Sequence, residues 1–159
     1  MEKSNNVFLT VKAAIVTAAA GFTAAFGWLG WLVLAWVLCM AVDWVTGSLA
    51  AAKGGEWNSK RAREGAFHKG GMIAVVLVAA VADFVITVVI DFLPVTLPFT
   101  FAGIILPLVL VWLIVTELGS ILENAVIMGA PCPDFLKKIL KIVSATVSKA
   151  AGVPEEKNE

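Results

Sequence analysis

Residues 53–69 read K-G-G-E-W-N-S-K-R-A-R-E-G-A-F-H-K. Lys53, Lys60, Arg61, Arg63 and Lys69 outnumber Glu56 and Glu64, and long apolar blocks lie on either side. A short loop rich in Lys and Arg stays on the cytoplasmic side of a membrane. If the flanking blocks span a bilayer, this stretch fixes the direction of every helix around it.

Composition meets that condition. The 159-residue chain is 60% hydrophobic and 15% charged, with a mean hydropathy of +0.92, whereas a soluble domain averages about 45–50% apolar and about 25% charged residues. Runs of about 18 or more apolar residues read as membrane spans, and several are present. The formal net charge of zero hides a segregation of charge into the basic loop and the C-terminal region.

Between Lys12 and Lys53 the only charge is Asp43. One helix over that stretch would be about 60 Å long at 1.5 Å per residue, twice the roughly 30 Å hydrocarbon core. Gly27-Trp28-Leu29-Gly30 is the natural break, with Trp28 and Trp31 suited to the interfacial aromatic belt. Two helices are expected, over about 7–26 and 31–52. The first sets a small face of Thr10, Ala14, Thr17, Gly21 and Ala24 against a bulky one of Phe8, Val11, Ile15, Phe22 and Phe26. Small faces allow close packing in lipid. Rich in Ala and Thr, this segment is a marginal inserter that spans the bilayer or lies at the interface. Ala18-Ala19-Ala20 also offers a signal-peptide cleavage region, although the apolar run continues past it.

A third span is expected over 70–93 and a fourth over 99–120, joined by a turn over 91–98 containing Pro94 and Pro98. Pro107 lacks an N–H and is expected to kink the fourth. Asp43 and Asp83 fall about 14 Å and about 19 Å inside their spans, where an acid costs about 2.5–3.5 kcal/mol on insertion scales. No Lys or Arg within a span is available to pair with them. Each is expected to be protonated, to bond neighbours such as Thr46 or Thr87, or to face water among helices. Two uses follow for Asp43, Thr46, Asp83 and Thr87: helix-to-helix glue, or a polar rim that becomes wet in another state.

Glu117, Ser120 and Asn124 share one helical face. After a break over Gly129–Pro133, Asp134 can cap a helix over 134–152, with Phe135, Ile139, Ile142 and Val143 on one side and Lys137, Lys138, Lys141 and Lys149 on the other. Such a basic amphipathic helix is a membrane-surface element attracted to anionic lipid. Residues 153–159 read as a disordered tail. The two spans between the basic loop and this helix return it to the cytoplasmic side. Lys53, Lys60, Arg61, Arg63, Lys137, Lys138 and Lys141 then form a cytoplasmic anchor.

Catalysis finds no support. His68 is the single histidine, Cys39 and Cys132 make neither a disulfide framework nor a metal site, and no nucleophile or phosphate-loop motif is present. No cofactor is expected. Basic clusters abutting membrane segments favour lipid head groups over nucleic acid. The fold class is therefore an all-α integral membrane protein of three to four transmembrane helices plus a cytoplasmic basic amphipathic C-terminal helix. Residues 1–133 form its membrane domain.

D-W-V-T-G-S-L-A-A-A-K-G-G-E-W-N-S-K-R-A-R-E-G-A-F-H-K from Asp43, the later Asp83, and E-L-G-S-I-L-E-N-A-V-I-M-G-A-P-C-P from Glu117 together resemble the phage lysis holin and clostridial toxin-secretion holin family. By that resemblance Asp43, Thr46, Gly47, Ser59, Gly65, Lys69, Asp83, Glu117, Ser120, Glu123, Asn124, Gly129 and Pro133 occupy family motif positions. His68-Lys69 stands where paired lysines are expected. The resemblance implies a homo-oligomer in the bacterial cytoplasmic membrane whose lesions release an endolysin, or a toxin, that it does not specifically bind. The residues alone also allow a small ion or proton carrier using the intramembrane carboxylates, or a structural membrane subunit.

Overall fold

The computed structural model describes residues 2–55, 58–93 and 103–152, and every regular element among them is a helix: α1 (Glu2–Lys53), α2 (Ser59–Phe92), α3 (Ile105–Ile127) and α4 (Asp134–Ala150). Among the described residues, three stretches are long and apolar enough to cross a membrane, Val7–Lys53, Ala62–Phe92 and Ile105–Ile127. The fold is that of an all-α, multi-pass membrane protein. It divides into two compact units, one up to Leu34 and one from Ala35.

In the first unit, Gly27 has φ 61° and ψ −163°, outside the helical region, while helix continues on both sides of it. Only glycine adopts such a conformation readily. The chain bends sharply there. The Phe22 and Trp31 rings stand 4.9 Å apart, edge to face, although nine residues of straight helix would separate their backbones by about 13 Å. Trp31 Nε1–H donates to Thr23 Oγ1 at 2.9 Å, and Thr23 donates to the Ala19 carbonyl at 2.8 Å. The break expected over Gly27–Gly30 is thus a single-residue corner held by aromatic contact. Trp31 closes that corner.

In the second unit α2 packs on α3 and α3 on α4. The core is slim: Trp36, Ala50, Met72, Ala79, Leu110 and Leu113 are its buried apolar residues. Large apolar side chains such as Leu77, Val78, Val81 and Phe84 on α2 are 60–69% exposed. Water would penalise that surface at about 25 cal/mol per Å²; hydrocarbon does not.

Three sequence expectations are corrected here. Residues 59–69 are not loop but the start of α2, because S-K-R-A-R-E-G-A is rich in strong helix formers. The exposed Lys60–Glu64 pair, four apart at 3.9 Å, adds little. Pro107 does not kink a span: α3 starts at Ile105, so Pro107 lies in the first turn, where N–H groups have no intrahelical partner anyway. α3 also runs on to Ile127, past the expected end at 120. The expected start at 99, most of the 91–98 turn and the 153–159 tail lie outside the described residues. α4 ends at Ala150, and the turn continues through Gly152 at φ 72°.

Candidate membrane-embedded polar site

Asp43, Lys69 and Glu117 each lie ten residues, about 15 Å along a helix, from Lys53, Ser59 and Ile127, the ends of α1, α2 and α3. That equal spacing puts them in one layer. Lys69 Nζ sits 2.7 Å from Asp43 Oδ2 and also donates to Glu117 Oε2. Glu117 is 2% exposed, and the Lys69 and Asp43 side chains are 17% exposed. The expectation that no cation could reach the intramembrane acids is therefore wrong for Asp43. Charge density alone places Lys69 in a loop, whereas the helical start of α2 carries it into the bundle.

The layer extends one to two turns toward the ends of the helices. Asn124 Nδ2 donates to Asp43 Oδ1 at 3.1 Å and to Thr46 Oγ1 at 3.3 Å, while Thr46 Oγ1 donates to the Asp43 carbonyl at 3.1 Å. Gly47 lets Asn124 approach: a Cβ there would stand 3.4 Å from Asn124 Nδ2. At the helix ends, Lys53 Nζ donates to the Met128 carbonyl at 2.5 Å, capping the C-terminus of α3 as a cation should. Gly129, at φ 96°, leaves room for it, since a Cβ would lie 3.1 Å from Lys53 Nζ. The C-terminal ends of α1 and α3 therefore meet at the same end of the bundle.

A crevice of about 290 Å³ opens between α1, α2 and α3, and its lining includes Asp43, Gly47, Gly65, Lys69, Ser120 and Glu123. Most family-like motif positions converge on this one layer and crevice. Of the others, Ser59 opens α2, Gly129 follows α3, Pro133 precedes α4 and Asp83 lies inside α2. Arg63, Lys137, Lys138 and Lys141 are exposed, and the Arg61 side chain lies outside the described set.

Asp83 is elsewhere. It sits 14 residues beyond Lys69, about 21 Å further along α2, and is 8% exposed. Its Oδ1 accepts the backbone N–H groups of Ile104 and Ile105 at 3.0 Å each, and its Oδ2 that of Leu106 at 2.8 Å. A carboxylate on one helix thus satisfies the free donors at the start of another, where the helix dipole also favours negative charge. Thr87 does not reach that carboxylate; its hydroxyl donates to the Asp83 carbonyl at 2.8 Å. Gly103 permits the approach, at φ 81° and with a Cβ that would lie 3.0 Å from Asp83 Oδ2. Sequence reasoning misses Gly103, Leu106 and the Lys53–Met128 contact. A glycine two residues before a proline-containing helix start is the available signal.

The chain is 27% identical over 135 residues, 85% of its length and 91% of the relative's, to an uncharacterized protein of Clostridium perfringens (strain 13 / Type A). No solved structure matches. Residues 20–145, which hold the polar layer, the crevice and the Asp83 contact, match the bacteriophage holin family. With three bilayer-length helices joined by a buried polar layer, the chain belongs to the bacteriophage holin family.

Proposed function

We propose that this holin accumulates in the bacterial cytoplasmic membrane, associates with copies of itself and opens lesions wide enough for an endolysin or a toxin to pass. Its role is mechanical and non-enzymatic, and the cargo passes without being specifically bound. The Lys/Arg-rich start of α2 and the basic helix α4 lie on the cytoplasmic side, as their charge favours; the Lys53–Met128 contact supports placing them at one end.

The observation that carries this reading is the contrast between the apolar exterior of the spans and an interior whose charges satisfy one another, Lys69 with Asp43 and Glu117, and Asp83 with the start of α3. In a dry bilayer an unpaired charge is expensive, so the separate bundle keeps these groups inside. Between assembled copies that admit water, the same groups are solvated at little cost. Asp43, Thr46, Asp83 and Thr87 then line a wet rim. Formation of lesions converts internal contacts into a lining.

Induced expression in bacteria carrying a folded cytoplasmic reporter enzyme tests this. Abrupt appearance of the enzyme outside the cytoplasmic membrane, together with loss of membrane potential, is expected. Loss of potential with the reporter retained would mean a small-ion pathway instead.

A further inference from the structure

α4 carries two apolar faces rather than one. Leu136, Leu140, Val143 and Val147 are half-buried, and α3 is the helix that α4 packs against. Phe135, Ile139 and Ile142 are 60%, 50% and 65% exposed and form a second stripe. Contrary to the sequence expectation that sets all four lysines opposite this stripe, 3.6 residues per turn over the continuous helix put Lys138 and Lys149 within about 40° of Ile142, and only Lys137 and Lys141 lie about 100–140° away.

We infer that this second stripe docks on the anionic phospholipid surface of the same membrane that holds the spans, with Lys138 and Lys149 at the head groups. The tether is short. Residues 128–133 are all that separate α3 from α4, and six residues reach at most about 20 Å. An exposed apolar stripe held that close to a bilayer meets lipid at high local concentration. The charges select the lipid: α4 carries four lysines against Asp134 alone, and each lysine at an anionic surface multiplies the docked population by roughly five. A second copy of α4 on this stripe would oppose lysine to lysine. Docking of α4 is independent of lesion formation and requires only the membrane-spanning fold.

The full unmodified chain, reconstituted in phosphatidylcholine vesicles with or without phosphatidylglycerol, tests this by backbone hydrogen exchange. Exchange over 135–147 is expected to slow by at least about fivefold in the anionic vesicles, to recover in high salt, and to lose its lipid dependence in the Lys138→Gln/Lys149→Gln variant. Equal exchange in the two lipid compositions would overturn the inference. So would protection that rises with the protein-to-lipid ratio whatever the lipid, because a second copy would then be the cover.

Discussion

The Oδ2 atom of Asp83 on α2 lies 2.8 Å from the backbone nitrogen of Leu106 in the first turn of α3. With Oδ1 accepting from Ile104 and Ile105, one carboxylate supplies what a local N-cap residue supplies elsewhere. The N-cap position itself is Ile104, which has no side chain to do so. An acid deep in a span thus has a structural use in the closed bundle.

Replacing Asp83 orphans these donors. Each buried N–H left unmatched costs about 1–3 kcal/mol. Asp83→Ala is expected to lower the thermal unfolding midpoint in detergent more than Asp83→Asn, whose amide oxygen still accepts on one side while its NH₂ opposes the Leu106 N–H. Circular dichroism melts of the two variants check the order. Equal midpoints for Asp83→Ala and the parent would refute the contact's role.

Gly103 is the second test of the same junction. A side chain there meets a left-handed backbone, worth about 1–2 kcal/mol of strain, and a Cβ 3.0 Å from Asp83 Oδ2. Gly103→Ala should destabilise by about 1–2 kcal/mol or more. Gly119→Ala is the control: a Cβ at that position would meet nothing within 4 Å, and alanine is favoured by roughly 0.5–1 kcal/mol in a helix interior. The two melts should move in opposite directions.

Lys69 bonds two acids from two other helices. Removing one partner of a buried pair costs about 3–5 kcal/mol because it strands the other charge. Lys69→Ala is therefore expected to unfold at a markedly lower temperature than the parent. Adding Glu117→Gln to it should recover part of the loss, since the most buried acid no longer needs a cation. A double variant less stable than Lys69→Ala would show that Lys69 and Glu117 are not coupled in this way.

Much of this is legible in the sequence. Apolar run lengths mark the spans, and the charges of residues 53–69 set one end of the bundle apart. The 117–124 spacing gathers Glu117, Ser120 and Asn124, of which Glu117 and Asn124 reach partners on α2 and α1. What escapes are features that no single segment encodes. Lys69 reads as loop because charge density signals an exposed stretch, yet residues 59–69 have helical propensity, and the helix turns Lys69 inward. The Asp83 contact joins positions 21 to 23 residues apart through backbone N–H groups, which leave no mark in a side-chain pattern. Pro107 signals a kink only as long as the helix start is placed too early.

The most direct test of the link between the polar layer and lesion formation is the time of reporter release for Asp43→Asn beside the parent, at matched accumulation in the membrane. Asparagine keeps the acceptor for Asn124 but removes the charge facing Lys69, so the closed bundle is weakened without being emptied. Earlier release is expected. Release on the parent's schedule, or later, would contradict the claim that the Asp43–Lys69–Glu117 layer holds the protein closed.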